Sequence, residues 1–359
     1  MARWCPVRFT TLPDDVPYSA GASAARISLT IPIVLCLVIN ALLIGHIDSP
    51  TDQTIKMKWS LLQHRPQSAD HLVLGDSTGL HGVLPAQLGT ELGGSWLNLC
   101  TNARMLVAHD AWMLQWYIKH YGPPAEVVVV HSLNAWRYSD DDSTYQLASK
   151  VPLPWGYWRD MQPPLPATQA HLGEMFMTRH FPLYAQNKTI DTLLQKPVKK
   201  VLGRLGNNAE EDSPEPSAST KTADEALGFV SLGDKPNRSE LQRELVQWQT
   251  MPPFELSAIN REALSIMMRL SEQHHFRLYV VTGSICQSIL DMEPGRRYAV
   301  GADEALAKLT AGHPTVSYLR NIPPFPAEQM RDSDHVILSA ARLYTSYLAR
   351  EIRAERQRP

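Results

Sequence analysis

The stretch His71-Leu72-Val73-Leu74-Gly75-Asp76-Ser77 decides the fold of this chain. A compact apolar run stops at a glycine, and an aspartate and a serine follow at once. A run of this length and composition is typical of a strand buried on both faces of a parallel sheet. The stretch therefore predicts a strand that carries Ser77 to the rim of a sheet, where a helix follows.

Buried-type strands and helices continue to alternate along the chain. The predicted strands are 71–74, 96–100, 127–130, 277–281 and 316–319, and the predicted helices are 54–63, 104–121, 259–276, 302–310 and 336–353. The four consecutive valines at 127–130 are typical of a central parallel strand. This alternation predicts an α/β three-layer sandwich with a mostly parallel sheet. Polar segments that follow successive strands should then gather at one rim, beyond the carboxyl ends of the strands.

Composition excludes several classes of protein. The 359 residues are 44% apolar and 19% charged, which supports a packed core and argues against general disorder. A net charge of −2 gives no basic excess for nucleic acid. Four cysteines are too few for a disulfide scaffold, and no zinc-type spacing is present. The sequence leaves open whether Cys100 and Cys286 form a single bridge.

Residues 27–47 form an uncharged apolar segment. Its length of about 21 residues is enough for a helix to cross a hydrocarbon layer of ~30 Å. No small-residue cleavage pattern follows, so a retained transmembrane signal anchor is favoured over a cleaved signal peptide. Arg26 is the charge nearest to the segment, which predicts that residues 1–26 are cytoplasmic. Asn40 is either a tolerated lone amide or a contact to a partner helix.

The predicted organisation has a main domain in two parts, separated by an insertion. The boundaries are a stem over 48–69, the first part over 70–135, the insertion over 136–253 and the second part over 254–359.

The insertion lacks the alternating pattern and is predicted to be large and irregular. Its residues 207–222 are rich in Ser, Pro, Glu and Asn, which predicts disorder. Its tryptophans, among them Trp155 and Trp158, either stack on sugar rings or pack the insertion onto the main domain. A basic cluster at 196–204 is either a solvated face or a contact to an anionic polymer or lipid surface.

Two motifs near opposite ends of the chain carry chemistry. A serine at a strand-to-helix turn, as at Ser77, projects its hydroxyl from the rim and has a backbone N–H that can face an oxyanion. Asp332 lies three residues before His335 and can hold its Nδ1–H, which leaves Nε2 to take the serine proton. Helix capping is an alternative role that is compatible with catalysis. A metal site of Asp332, Asp334 and His335 is also conceivable, but we predict neither a metal nor a cofactor.

Together these motifs resemble the SGNH (GDSL-like) superfamily of hydrolases and acyltransferases, over residues 75–135 and 275–350. The resemblance implies a flavodoxin-like sheet. It also implies that Ser77 is the nucleophile, His335 the general base and Asp332 the partner that orients it. In this family an asparagine after the third strand lends its amide to the oxyanion hole, and Asn134 matches that place.

The chain departs from the family pattern in two places. Ser132 and Ala135 replace the glycine and the aspartate that normally surround the asparagine, and no glycine matches the oxyanion donor after the second strand. Asn102 tolerates positive φ better than Ala103 does, and one of the two is expected to supply that N–H together with Ser77. Each missing donor costs ~3–4 kcal/mol of transition-state stabilisation.

Three further polar residues are expected at the rim. His131 ends the valine strand and is either a substrate contact or a packing residue. Arg104 follows the second strand and could hold an anionic part of the substrate. His81 could compete with His335 as the base.

The chain resembles a membrane-anchored subgroup of the superfamily more than it resembles secreted esterases. That subgroup includes the alginate O-acetylation proteins and the protein that assists D-alanylation of teichoic acids. The resemblance implies a serine acyltransferase of the inner membrane with a periplasmic body. It would act on a cell-envelope polysaccharide, beside a multi-spanning membrane-bound O-acyltransferase. The alternatives are an extracytoplasmic carbohydrate or lipid esterase, and a catalytically weak scaffold that binds glycan or a partner.

Overall fold

The computed structural model describes residues 18–43, 49–64, 69–185, 190 and 222–358. The sheet consists of β1 His71–Gly75, β2 Trp96–Asn98, β3 Glu126–His131, β4 Arg277–Thr282 and β5 Val316–Leu319. All neighbouring strands are parallel, in the order β2-β1-β3-β4-β5. This is the 2-1-3-4-5 order of a doubly wound sheet. The predicted α/β class is confirmed, and the sheet is entirely rather than mostly parallel.

Helices surround this sheet. In chain order they are α1 Tyr18–Leu43, α2 Pro50–Gln63, α3 Ser77–Gly82, α4 Pro85–Leu92, α5 Leu106–Tyr121, α6 Asp142–Ala148, α7 Tyr157–Asp160, α8 Gln169–His180, α9 Pro182–Ala185, α10 Ala223–Ala226, α11 Arg238–Trp248, α12 Ala258–His274, α13 Gln287–Asp291, α14 Glu293–Thr310 and α15 Leu338–Arg356. Short 3-10 helices span Ala103–Met105, Ala135–Arg137 and Ala327–Gln329.

The sheet is covered on both faces. Val127 and Val129 of β3 pack in one apolar cluster with α2, α5 and α12. Val128 and Val130 pack in a second cluster with α3, α4 and α15. This alternation follows from the two-residue period of a strand, and the covering on both sides explains why β3 is apolar throughout.

The turn after β1 depends on a glycine. Gly75 has a φ of 143°, and a Cβ built there would lie 1.8 Å from the carbonyl oxygen of Val130. The amide of Asp76 donates to that same oxygen at 3.1 Å. A residue without a side chain is therefore needed for β1 to reach the turn beside β3, and the turn makes Ser77 the first residue of α3.

Helix boundaries differ from the prediction where capping residues act. The stem helix begins at Pro50 because Ser49 and Asp52 form a capping box.

The insertion is not irregular, since α6 to α11 lie within its described residues. Thr222 caps α10, so it is not part of a disordered stretch. The rest of that stretch, residues 207–221, and the basic cluster at 196–204 lie outside the described residues.

Two predictions about the membrane segment are not supported. Within the part of the chain that the structure describes, no helix is long and apolar enough to cross a membrane. Residues 44–47 of the predicted span 27–47 lie outside that part. Asn40 is neither a lone amide nor open to a partner helix. Its Nδ2 donates to the carbonyl of His180 at 2.7 Å, and its Oδ1 accepts from the amide of Leu183 at 3.3 Å.

The two cysteines of the folded part are not paired. Cys100 and Cys286 are both buried free thiols. Cys100 follows β2 and packs against α3, where its Sγ lies 2.6 Å from a Cβ built at Gly79. Cys286 precedes α13, and its backbone forms an isolated parallel β-bridge with that of Phe325. The single disulfide that the sequence left open is therefore absent.

Candidate active site

The serine lies at the carboxyl end of β1, as the sequence predicted. Ser77 is half-buried and begins α3. Asp76 is the N-cap residue, and its Oδ1 accepts hydrogen bonds from the amide and the hydroxyl of Thr78 at 2.9 and 2.6 Å. The amide of Ser77 makes no hydrogen bond with a described residue. This geometry leaves both the hydroxyl and the N–H of Ser77 available at the rim.

The predicted Asp-His pair is formed in the loop before α15. Nδ1 of His335 lies 2.8 and 2.9 Å from the two carboxylate oxygens of Asp332. Asp332 Oδ1 also accepts from the backbone amide of His335 at 2.9 Å. Asp334 adds a second carboxylate, 3.0 Å from the same Nδ1. The proton on His335 is therefore fixed at Nδ1, and Nε2 is the nitrogen that can exchange protons with a substrate.

The imidazole of His335 lies against the helix that carries Ser77. Its ring meets that of His81 edge to face, with centroids 5.5 Å apart. Residues four apart share one face of a helix, so Ser77 and His81 lie on the same side of α3. Nε2 of His335 is buried without a hydrogen-bond partner among the described residues, so no Ser77–His335 hydrogen bond is present. Catalytic hydrogen bonds of this kind are often long without substrate and tighten when it binds.

The two histidines at this point have opposite electrostatics. Burial opposes charge on His335, but Asp334 and Asp332 outweigh it, and the pKa of His335 is raised well above its ordinary value. Burial and the neighbouring His335 lower the pKa of His81 to about 4. Nδ1 of His81 donates to the carbonyl of Val230 at 2.7 Å. His81 is therefore neutral at neutral pH, and the proton-carrying group is His335.

The loop after β2 does not take the predicted conformation. Asn102 has φ −127° and ψ 139°, and its Oδ1 caps the amide of Arg104 at 2.9 Å. The positive φ of this segment, 61°, occurs at Leu106 instead. Asn102 and Ala103 are both half-buried, and neither amide bonds to a described residue. Both remain candidate oxyanion donors, Asn102 with extended backbone and Ala103 as the first residue of the 3-10 helix.

Asn134 is held at the rim after β3 and is half-buried. Its Oδ1 is shielded from solvent and makes no hydrogen bond within the described part of the chain. Asn260 of α12 fixes the segment that follows, because its Nδ2 donates to the carbonyls of Ala135, Trp136 and Tyr138 at 2.8 to 3.2 Å. The loop is anchored, but its unpartnered atom is an acceptor, whereas an oxyanion needs the donor Nδ2, so the oxyanion role of Asn134 stays a prediction.

A buried network that the sequence did not reveal braces the serine turn. His131 is only 1% exposed and lies between two carboxylates. Its Nε2 is 2.5 Å from Asp110 Oδ2, and its Nδ1 is 3.6 Å from Asp76 Oδ2, an ionic contact longer than a hydrogen bond. Asp110 Oδ1 also accepts from the amide of Gly75 at 3.1 Å, and Asp76 Oδ2 accepts from the amide of Ser132 at 2.9 Å.

The charges of this network depend on one another. Burial alone would favour the uncharged forms of His131, Asp76 and Asp110. The carboxylates of Asp110 and Asp76 nevertheless raise the pKa of His131 to about 10. His131 in turn holds the pKa of Asp76 below its ordinary value, whereas burial raises the pKa of Asp110. His131 therefore acts within the turn as a buried cation. Its burial argues against the predicted substrate contact and favours the packing alternative.

Arg104 lies at the edge of the site, about 43% exposed, with its charge already paired. Its guanidinium is 2.7 Å from a carboxylate oxygen of Asp141 and lies over the ring of Tyr138 at 3.9 Å. Binding of an anionic substrate group by Arg104 stays a prediction. It would require Asp141 to move or to share the guanidinium.

Residues 227–237 of the insertion, which we call the strap, cross the site region. Leu227 O accepts from the amide of Asn98 at 2.9 Å, and the amide of Val230 donates to Leu80 O at 3.2 Å. The far end of the strap joins the loop before α15 that holds Asp332 and His335, which we call the dyad loop. There the amide of Asn237 donates to Arg331 O at 3.0 Å. The strap thus links β2, α3 and the loop that holds the Asp-His pair.

Beyond the strap, α11 also touches the dyad loop. Glu244 Oε2 accepts from the amide of Ser333 at 2.9 Å. Burial raises the pKa of Glu244, and the carboxylates of Asp332 and Asp334 act in the same direction. The insertion therefore contributes both backbone contacts and a carboxylate to the surroundings of His335.

The dyad loop also contains the groups that could hold a metal ion. Asp332, Asp334 and His335 each offer a ligand atom, and these atoms lie within 4.8 Å of one another. Both carboxylates, however, contact the same Nδ1 of His335. A proton on that nitrogen satisfies both, so the arrangement fits an oriented imidazole better than a metal centre.

Comparison with known proteins does not add an independent identification. No protein-family model matches the chain, and no curated protein matches it. The geometry of Ser77, the Asp332–His335 dyad and the oxyanion candidates is therefore the basis of the proposed function.

Proposed function

We propose that this chain is an SGNH-type serine acyltransferase that acts on a cell-envelope polysaccharide through an acyl-serine intermediate. One observation carries the proposal. A histidine oriented by a carboxylate lies against the helix that begins with Ser77, and its Nε2 has no partner within the described residues. The 2-1-3-4-5 parallel sheet supports the resemblance to the superfamily.

The first half of the reaction forms the acyl-enzyme. Ser77 Oγ attacks the carbonyl carbon of the acyl donor while its proton moves to Nε2 of His335. The negative charge on the carbonyl oxygen meets the amide of Ser77, an amide from Asn102 or Ala103, and the side chain of Asn134. The donor's ester bond then breaks, and its oxygen leaves with the proton from His335.

The second half transfers the acyl group. A sugar hydroxyl gives its proton to Nε2 of His335 and attacks the acyl carbon, and Ser77 leaves with that proton. Attack by water in place of the sugar would make the chain an esterase. The strap contacts α3 and the loop that holds the Asp332–His335 pair, and we expect the insertion to favour transfer by limiting the access of water to the acyl-enzyme.

The membrane setting is a further part of the proposal. We propose a periplasmic body attached to the inner membrane, beside a multi-spanning membrane-bound O-acyltransferase that supplies the acyl group. α1 exposes apolar side chains, including Ile31, Val34 and Leu42, which supports a hydrophobic contact for this helix. Extraction in mild detergent should recover a multi-spanning protein with the chain. Repeated isolation of the chain alone would count against the partner.

The enzymatic proposal is tested by labelling the serine. A fluorophosphonate probe should form an adduct that mass spectrometry places on Ser77, and Ser77→Ala should abolish both the adduct and envelope acylation. We expect acyl transfer to fall about 10³-fold or more, because the covalent step is lost. Ser339→Ala, an exposed serine at the start of α15, is the matched control and should behave as wild type. An adduct on another residue, or unchanged acylation, would refute the role of Ser77.

A non-enzymatic scaffold is the second candidate. The observation that favours it is the missing hydrogen bond between Ser77 and His335. A correctly folded Ser77→Ala variant that retains envelope acylation would establish it.

A further inference from the structure

A cleft with a volume of about 400 Å³ lies between α5 and the start of the insertion. Its size is within the range of about 300–1,000 Å³ that is typical of small-molecule sites. The lining residues that matter here are Gln115, Trp116, Lys119 and His120 of α5 and Trp155 and Asp160 of the insertion. α5 leaves the site rim at Leu106, so Trp116 lies about 15 Å further along the helix axis. The cleft is thus separate from the Asp-His dyad.

Two braced aromatic surfaces wall the cleft. Trp155 is 43% exposed, and Trp158 and Phe176 support it edge-on, with ring centroids 4.6 and 6.0 Å away. On the opposite wall Trp116 and His120 stack with centroids 3.8 Å apart and planes 16° apart. Rigid aromatic faces of this kind offer flat apolar contact at little cost in conformational entropy. Trp158 is buried in the core and packs the insertion onto the main domain, whereas the neighbouring Trp155 is open to solvent.

Polar groups surround these faces. Nδ1 of His120 donates to the carbonyl of Trp116 at 2.7 Å, which leaves its Nε2 as an acceptor. The side chains of Lys119 and Asp160 are exposed and make no ion pair or hydrogen bond with another described residue. Gln115 fixes the opposite edge, because its Oε1 accepts from the amide of Gln162 at 3.2 Å. The cleft therefore combines aromatic walls with both donors and acceptors and carries opposite charges at its rim.

We propose that this cleft binds a pyranose ring of a polysaccharide, as a subsite remote from Ser77. The C–H face of the ring would lie on Trp155, and its hydroxyls would bond with His120, Lys119 and Asp160. An acyl chain would leave the charged rim without partners, and a nucleic acid would require a basic surface. The inference rests on the proposed function for the identity of the polymer: an acceptor that reaches both sites must be an oligomer.

The test measures sugar binding to the full chain in a Ser77→Ala background, so that turnover plays no part. The probes are hexamers of β-1,4-linked glucose, N-acetylglucosamine and mannuronate, together with the corresponding monomers. Their binding is measured by tryptophan fluorescence and saturation-transfer NMR. At least one hexamer should bind more tightly than its monomer. Trp155→Ala should weaken that binding about tenfold or more, because an aromatic anchor is removed. Tyr184→Ala, an exposed aromatic outside the cleft, should leave the affinity unchanged.

Two outcomes would overturn the subsite. One is that no hexamer binds, or that Trp155→Ala binds as well as its parent. The other is that Trp155→Ala instead weakens sedimentation with vesicles of phosphatidylethanolamine and phosphatidylglycerol, which would assign the cleft to lipid. Labelling of Ser77 in the wild-type chain reports separately on the acyl chemistry, so failure of one proposal does not imply failure of the other.

Discussion

Asp334 places a second negative charge on an imidazole that already has an orienting aspartate. His335 is therefore strongly biased towards its charged form, in which Nε2 cannot accept the proton of Ser77. Of the two aspartates that contact Nδ1 of His335, the sequence predicted only Asp332 as the orienting partner. The aspartate on α5, Asp110, could have been suspected as a charged residue within an apolar helical run. Its pairing with His131 depends on how α5 packs against β3, which spacing along the chain does not encode.

Transfer should depend on pH in a way that Asp334 controls. Because the general base must be unprotonated, kcat/KM for an acyl ester should rise with pH through the raised pKa of His335. Asp334→Asn removes a charge 3.0 Å from Nδ1 and lowers that pKa. The rising limb should therefore move to lower pH by about one pH unit or more. Glu255→Gln, an exposed carboxylate, is the control. If the rise of kcat/KM with pH occurs at the same pH in Asp334→Asn as in wild type, a group other than His335 controls the pH dependence.

At the scale of elements, β1 to β4 were predictable because each is a short apolar run that is largely buried on both faces, whereas the edge strand β5 is only half-buried. Helix starts were less predictable where a cap decides them, as at Ser49 for α2. α14 begins at Glu293, before the predicted residue 302, because Pro294 is tolerated in the first turn of a helix. The turn between β1 and α3 is the element on which the site depends.

Gly75→Ala should disrupt this turn far more than an ordinary glycine substitution. We expect the free energy of unfolding to fall by about 3 kcal/mol or more, since the new Cβ meets the Val130 carbonyl and φ is unfavourable. Gly93→Ala is the matched control, with φ 81° and nothing within 4 Å of its Cβ. It should cost only about 1 kcal/mol. Urea denaturation measures both, and equal losses would contradict a special role for Gly75.

At the scale of the molecule, the strap connects the insertion to the parallel sheet. The ammonium group of Lys58 is fully buried and donates to the carbonyls of Gly228 on the strap and Asn98 at the end of β2. Burial lowers the pKa of Lys58 to about 7. The sequence could not predict this connection, because it depends on a lysine of the stem that is enclosed by segments distant in the chain.

Lys58→Met should release the strap. Loss of the ammonium leaves two buried carbonyls without a donor, which costs about 1–3 kcal/mol. Limited proteolysis should then cut within residues 222–240 about tenfold faster, since local opening becomes easier. Lys308→Met, at an exposed position on α14, should leave the cleavage rate unchanged. If Lys58→Met and wild type are cleaved at the same rate, the other contacts of the strap are enough to hold it in place.

The separation of Ser77 from the Asp332–His335 pair has a consequence for biosynthesis. A chain leaves the ribosome from its amino end, so the serine turn emerges long before the histidine loop. If the two act together as proposed, a nascent chain holds a hydroxyl without its base and is inert towards esters. Reactivity would then arise only when the carboxyl-terminal part has been translated and has folded against the first, so completion of the fold itself would guard against premature acylation.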